Sequence, residues 1–248
     1  MRYLILSDIH GNLEALESVL AHAGSQGHDA VLVLGDLVGY GADPNGVIQR
    51  IQALNPVAMV RGNHDKVAVG METADSFNMA ARRAVSWTAA ALTPESRAFL
   101  TALPEGPVLV DDDVEICHGA PSDEDKYLFE AGDAAYALLE SRRPVCVFGH
   151  THVQVVYELS DDDSLNVSGF DDSSGRRLTL EPSCKYLVNP GSVGQPRDGD
   201  ARAAYGLLDT GARELKLFRV AYDVEKAQAK IREAGLPEIL ASRLALGR

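Results

Sequence analysis

Five short segments constrain this chain more than anything else in it: Asp8-Ile9-His10, Gly35-Asp36, Gly62-Asn63-His64-Asp65, His118-Gly119 and Gly149-His150-Thr151-His152. They hold five of the seven histidines. Almost every one follows an apolar run that reads as a buried strand, namely Tyr3-Leu4-Ile5-Leu6, Val31-Leu32-Val33-Leu34, Val57-Ala58-Met59-Val60, Glu115-Ile116-Cys117 and Val145-Cys146-Val147-Phe148. Ligands at the carboxyl ends of neighbouring strands converge on one crevice. Carboxylate and amide oxygens suit hard divalent or trivalent cations, and neutral imidazole suits Mn, Fe, Zn, Ni or Co. The mixture predicts two adjacent transition-metal sites and argues against Mg alone.

The first third alternates strand and helix patterns. Asn12 can cap a helix carrying Leu13, Leu16, Val19, Leu20 and Ala23 on one stripe, closed by Gly24 and Gly27. Asp43-Pro44 supplies a cap and first-turn pair for a second helix with Val47, Ile48, Ile51 and Leu54. Such a βαβαβ unit implies a right-handed parallel sheet. Residues 74–103 read as helical, restarting at Thr93-Pro94-Glu95, with Phe77, Ala80, Ala81, Ala84, Trp87 and Ala91 at helical spacing for packing. Val108-Leu109-Val110 and Val114-Glu115-Ile116 flank Asp111-Asp112-Asp113, a hairpin turn whose carboxylates are expected to face water. Ser160 to Gly175, rich in Asp, Ser and Gly, reads as a mobile surface loop between strands. From Lys185 onward the pattern is mainly strands, and Asp223 then caps a helix pair broken at Gly235-Leu236-Pro237. No repeat or linker is visible, so a single domain over 1–248 is expected.

Taken in order, the five segments resemble the signature of the calcineurin-like metallophosphoesterases, which runs DxH, GD, GNH[DE], H and GHxH. A lone DxH or GD means little; all five in the right order are specific. Asn189-Pro190-Gly191-Ser192-Val193-Gly194 is similar to the NPGS loop of the smaller bacterial and archaeal phosphodiesterases of that superfamily. With Gly39-Tyr40-Gly41 and Tyr222-Asp223 it extends the likeness along most of the chain. The resemblance implies a four-layer α/β/β/α sandwich of two mixed β-sheets flanked by helices. It implies a first metal held by Asp8, His10 and His152, a second held by Asn63, His118 and His150, and Asp36 bridging the two. His64 matches the histidine that acts as an acid on the leaving group. One departure stands out: phosphoprotein phosphatases of this superfamily carry an arginine after the GD aspartate, and here Tyr40 occupies that place.

The spacing has mechanical content. Asp8 and His10 leave a strand end on the same side, where one ion at about 2.0–2.2 Å can accept both. Asp36, with two carboxylate oxygens, is the natural bridge between ions about 3.5–4 Å apart, a pair that clamps a phosphate and activates a hydroxide. A histidine protonating the departing alkoxide contributes ~10²–10⁴-fold. Asp65 is expected to hold the other ring nitrogen of His64, to cap the following turn, or both. Asn12 and Tyr40, just past ligand-bearing strand ends, are candidate substrate contacts, as is Arg197 in Gln195-Pro196-Arg197-Asp198. Arg61 is expected to enter a salt bridge, and His22 and His28 to be surface or capping residues.

Charge narrows the partners. A net charge of −13, with arginine pairs only at 82–83, 142–143 and 176–177, disfavours long nucleic acid. Metal ions would reverse the sign locally and still attract a small phosphate ester. No apolar run reaches the ~20 residues of a membrane span. The immediate start of a strand argues against a removable signal peptide, and three cysteines without CxxC spacing read as buried free thiols, so a cytoplasmic location is expected. The expected function is metal-dependent hydrolysis of a small phosphodiester or phosphorylated nucleotide. A phosphoprotein phosphatase and a dinucleoside tetraphosphatase remain alternatives, because selectivity lies in rim loops such as Tyr40–Asn45, Ser122–Phe129 and Gln195–Asp200. A non-catalytic interaction module on the same fold is disfavoured by the intact ligand set and His64, and a nuclease by the missing basic surface.

Overall fold

The first strand, β1 (Arg2–Leu6), sets the layering. Successive side chains on a strand point to opposite faces. Leu4 and Leu6 enter a cluster with helices α1 (Leu13–Gln26) and α2 (Pro44–Ala53), while Tyr3 and Ile5 enter a second cluster that a separate sheet completes. β2 (Ala30–Val33) divides the same way, Val31 and Val33 toward the helices and Leu32 toward the other sheet. Strands covered on both faces must be apolar throughout, which is why these runs do not alternate. The computed structural model describes residues 1–169 and 176–248.

Among the described residues there are two six-stranded mixed sheets. In the first, β1, β2 and β3 (Ala58–Met59) are parallel, and β11 (Ala203–Asp209), β12 (Glu214–Val220) and β9 (Arg176–Thr179) continue it antiparallel, giving the order β3-β2-β1-β11-β12-β9. The second has the order β4-β5-β6-β10-β7-β8, from β4 (Val108–Leu109), β5 (Val114–Ile116), β6 (Val145–Val147), β10 (Lys185–Pro190), β7 (Gln154–Leu159) and β8 (Leu165–Gly169). Here β5, β6 and β10 are the parallel strands. Between the sheets lie Ile5, Leu32, Leu34, Val114, Ile116, Val145, Val147 and Val188, and α6 (Ala131–Glu140) covers the outer face of the second sheet through Ala134, Ala137 and Leu138 against Cys146 and Leu187. This is the expected four-layer sandwich.

Helices α3 (Asn63–Val69), α4 (Met79–Ala91), α5 (Pro94–Thr101), α7 (Val224–Glu233) and α8 (Glu238–Ser242) complete the frame, and no described helix is long and apolar enough to cross a membrane. Several caps follow the sequence: Asn12, Thr93 and Asp223 each accept a hydrogen bond from a first-turn amide. Others do not. Asp43 makes no cap bond, because its carboxylate is taken by Lys230 Nζ at 2.7 Å. Asp111 does not simply face water; it accepts from Tyr3 Oη at 2.6 Å and from two amides of its own turn. Residues 165–169 of the expected 160–175 loop form β8, paired to β7, while residues 170–175 lie outside the described ones. β3 is a half-buried edge strand and Val57, just before it, is 59% exposed, unlike the buried run the sequence suggests. Phe77 precedes α4, which begins after the Asn78 cap, so its ring is free to turn toward the site. His22 is half-buried, its Nδ1 2.7 Å from the Tyr205 hydroxyl.

Leu32 is fully buried between the sheets. Truncation there removes transfer energy and leaves a cavity, so Leu32→Ala should lower unfolding free energy by ~2–5 kcal/mol in denaturant titration, with little change in the denaturant slope.

Candidate metal centre

The proposed ligands lie in the turns that leave β1, β2, β3, β5 and β6, and the backbone there is unusual. Nine non-glycine residues have positive φ among the described ones, and five of them are Asp8, His10, Asp36, His150 and His152. Tyr40 is a sixth site candidate in this conformation, at φ 59°. L-residues pay ~1–2 kcal/mol for it. Both members of Asp8-x-His10 and of His150-x-His152 lie in these turns and reach the centre. Strain collected in one place is the signature of a site that the surrounding structure enforces.

Two donor groups result: Asp8, His10, Asp36 and His152 in one, and Asp36, His118 and His150 in the other, all buried, with ligand atoms within 4.8 Å of one another in each. Asn63 joins the second, its Oδ1 3.4 Å from His118 Nε2. Asp36 is shared. Its Oδ1 accepts the backbone N–H of His64 at 2.9 Å, which leaves Oδ2 to face His10 Nε2 at 3.5 Å and His118 Nε2 at 3.6 Å. Gly62 permits this closeness, since a Cβ there would stand 2.1 Å from Asp36 Oδ1.

Backbone carbonyls set the imidazole tautomers. Nδ1 of His10 donates to Val38 O at 2.9 Å, that of His118 to Leu34 O at 2.7 Å and that of His152 to Gln195 O at 2.6 Å. A carbonyl can only accept, so Nδ1 carries the proton and Nε2 presents a lone pair to the centre. His150 is reversed: its Nε2 donates to Asp125 O at 3.0 Å, leaving Nδ1 as the free donor atom. As a result acceptors face acceptors, His10 Nε2 against His152 Nε2 at 3.1 Å and His152 Nε2 against Asp8 Oδ1 at 3.2 Å. Lone pairs so arranged need positive charge between them, and the donor set therefore fits cations.

Proton affinities follow from the same crowding. Burial would raise Asp8 and Asp36, but the neighbouring histidines, His152 for Asp8 and His118 for Asp36, hold both well below the usual carboxylate range. Burial lowers His10, His150 and His152, His150 to about 3. For His118 burial is outweighed by Asp36 and Asp8, which push it up to about 10. A cation bound at the second donor group, to which His118 belongs, would compete with the proton that those carboxylates favour on its ring.

His64 sits beside these atoms and not among them. Its buried ring lies 4.9 Å from that of His10, 4.4 Å from Tyr40 and 4.5 Å from Phe77, and its Nδ1 has no partner. Gly39 makes room, because a Cβ there would meet Nδ1 at 2.4 Å. Burial lowers the ring to about 4, with Asp36 opposing. Asp65 does not hold this ring: its carboxylate accepts the amides of Gly62 at 3.0 Å and Val38 at 3.2 Å, capping α3 and tying the two loops together. Burial and the Asp36 charge raise Asp65 to about 7.

The weaker candidates separate. Asn12 spends both ends of its amide on structure, accepting from Ala15 N at 3.1 Å and donating to Gly194 O at 2.9 Å. Tyr40 is buried with its ring 4.7 Å from His10, and Arg197 donates from Nη2 to the Tyr40 hydroxyl at 3.4 Å. Arg61 binds Glu124 and Glu105, the salt bridges expected of it. Glu124 and Asp125 also bind Lys66, at 2.9 and 2.6 Å. This network pins the 122–129 loop, whose Tyr127 stacks on His150 with centroids 3.7 Å apart. Asn63, Glu72, Ser76, Phe77, Asp125, Tyr127 and His150 line a cavity of about 250 Å³. Cys117 points away into the outer core, 3.7 Å from Cys146 Sγ.

Sequence reasoning missed the residues that hold the ligands. Ser7 donates to Asp8 Oδ2 at 2.6 Å, and Ser192 to Asp8 O at 2.8 Å. Asn189 donates to Gly149 O at 2.7 Å and Thr151 Oγ1 at 2.9 Å while accepting from Gly191 N at 2.9 Å. The NPGS resemblance marked this loop, but not what it grips.

Residues 1–213 match the calcineurin-like phosphoesterase superfamily domain, and the chain belongs to that family. A metallophosphoesterase from Sphaerobacter thermophilus is 38% identical with full coverage of both chains, and its crystal structure superposes with a TM-score of 0.88. An uncharacterised protein of Methanocaldococcus jannaschii is 35% identical over 98% of this chain and 97% of its own. Phosphodiesterase YfcE of Escherichia coli is 27% identical over 84% of this chain and 88% of its own. The chain is accordingly a metal-dependent hydrolase of phosphate esters.

Asn189→Ala should release the turn that carries His150 and His152. Metal affinity is expected to fall by ~10–100-fold, read by chelator competition, with secondary structure retained.

Proposed function

We propose that this protein hydrolyses a small phosphodiester or phosphorylated nucleotide at two transition-metal ions, held by Asp8, His10 and His152 on one side and by Asn63, His118 and His150 on the other, with Asp36 between them. The observation that carries this reading is the pair of donor groups sharing Asp36, whose lone pairs face one another. When bound, such ions neutralise the phosphate and activate water for in-line attack.

The chain's own residues do the rest. Nδ1–carbonyl bonds hold three imidazoles in the tautomer that leaves Nε2 free. His64 is the proton donor to the leaving oxygen. Its ring is outside the donor groups and free at Nδ1, and a negatively charged substrate alongside offsets the burial that disfavours imidazolium. Arg197, which donates to the Tyr40 hydroxyl, is the protein cation we assign to the phosphate. A cavity of about 250 Å³ suits a small ester, and the −13 charge disfavours duplex DNA. Three buried free thiols support a reducing, cytoplasmic setting.

Exhaustive chelation should abolish hydrolysis of an activated aryl phosphodiester, and Mn or a similar ion should restore it; undiminished activity in protein shown metal-free by elemental analysis would sink the mechanism. Asp36→Asn should reduce occupancy of both sites, measured as bound metal per chain. His64→Ala should retain its metal and lose ~10²–10⁴-fold in kcat on esters with poor leaving groups, and much less on nitrophenyl esters, which need no proton. If His64→Ala emptied a site, its place outside the coordination sphere would be wrong.

A further inference from the structure

The cavity of about 250 Å³ reaches the metal centre at one end, because Asn63 and His150 of the second donor group are part of its lining. Away from the centre its walls change character. Phe77 and Tyr127 line it with aromatic rings, and Glu72, Ser76 and Asp125 add a polar edge. No lysine or arginine is among its described lining residues. A phosphate held at the centre would therefore have its organic group beside two rings and two carboxylates.

Both rings are fixed from behind. Phe77 is half-buried with its centroid 4.5 Å from that of His64. Tyr127 stacks on His150 at 3.7 Å, and Phe129 lies parallel to Tyr127, 5.4 Å away at an interplanar angle of 6°. Tyr127 nevertheless stays 44% exposed, although aromatic surface gains ~25 cal/mol per Å² when it leaves water. The loop that carries it is held by Lys66, through Glu124 and Asp125, and by Arg61, so this wall is formed before any ligand arrives. A ring entering a preformed aromatic wall stacks without the cost of ordering it, and base–aromatic stacking contributes ~1–3 kcal/mol.

The polar edge selects further. Lys66 Nζ engages Asp125 at 2.6 Å and Glu72 at 3.1 Å, so the one nearby ammonium is already answered. Glu72 and Ser76 are exposed at the rim, where a carboxylate and a hydroxyl accept N–H donors. The same carboxylates repel an additional phosphate. At about 250 Å³ the cavity lies below the ~300–1,000 Å³ of sites for drug-sized molecules, which suits one ring system and not a long chain.

We propose that this cavity is a nucleobase subsite: the preferred esters carry, on the organic side, a planar aromatic ring with N–H donors and no further phosphate. The inference rests on the hydrolytic reading above for the place of the phosphate. Phe77 and Tyr127 supply the stacking surface, and Glu72 and Ser76 the acceptors.

The test compares three methyl phosphodiesters, of adenosine at its 5′-oxygen, of methyl riboside at the same oxygen, and of benzyl alcohol. Wild type should prefer the adenosine ester to the riboside ester by ~10–100-fold in kcat/KM, the range that stacking supplies. Phe77→Ala should cut that ratio by ~10-fold, and Phe77→Trp should keep it. Every ester meets the same His64, so the ratio cancels any effect of the variant on that ring. Calorimetry of adenosine monophosphate and ribose 5-phosphate on the metal-loaded protein should show the same discrimination in binding. Equal values for adenosine and riboside in both assays overturn the subsite, as does Phe77→Ala slowing both esters equally. A benzyl ester hydrolysed better than the adenosine ester overturns the choice of a nucleobase. If none of the esters is hydrolysed the small-diester reading fails, and the calorimetry still decides the subsite; if Phe77→Ala does not fold, Phe77→Leu, which keeps the bulk and loses the ring, decides it.

Discussion

The metal ligands belong to two different sheets, and their alignment depends on one segment that touches both. Residues 189–197 run from the end of β10, in the second sheet, toward β11, in the first. Along the way Val193 and Gly194 donate to the carbonyls of Ser7 and Asp8, Asn189 grips the turn of His150, and Arg197 N donates to His152 O. Buried hydrogen bonds of this kind contribute only ~1 kcal/mol each net, but losing one leaves a buried polar atom unsatisfied at larger cost. Their number makes the two sheet ends act as one rigid edge. The carbonyl of Gln195, in the same segment, then fixes the tautomer of His152.

Around that edge the protein does what folding ordinarily avoids. It buries Asp8 and Asp36 together, points acceptor at acceptor, and holds five ligand residues at positive φ. Each element is unfavourable alone. The layers on either side make it tolerable: β1 and β2 are fully covered on both faces, so that the strand ends cannot relax outward. The same logic explains the Arg61–Glu124–Lys66–Asp125 network, which locks the loop whose carbonyl orients His150.

Much of this was legible in the sequence, and the pattern of success is physical. Strand and helix order in the first third follows from apolar runs and caps, because Leu4, Ile5, Val31 and Leu32 have nowhere to go but a two-sided core. The ligand candidates were visible because histidine, aspartate and asparagine beside glycine in short blocks are chemically distinctive. What escaped was whatever acts through the backbone: the carbonyls of Leu34, Val38, Asp125 and Gln195 have no side-chain signature. Asp65 illustrates a second limit, since a carboxylate next to His64 in sequence turns instead to the cap amide of Gly62 and, across to another loop, the amide of Val38. Asp43 shows a third, where Lys230, far along the chain, competes for a capping residue. Phe77 shared a helical spacing with true core residues and lay one residue before Asn78, the cap that begins α4.

The left-handed turns at Asp8, His10, Asp36, His150 and His152 carry a further implication for how this chain responds to selection. Five such conformations, at ~1–2 kcal/mol each, amount to much of the ~5–15 kcal/mol that separates a folded domain from its unfolded chain. A library screened for heat resistance in ion-depleted medium would accordingly enrich glycine or asparagine at these positions, and each winner would be a more durable and less competent protein. Durability and chemistry compete here at identical residues, so that only a screen run with ions present can improve the one without dismantling the other.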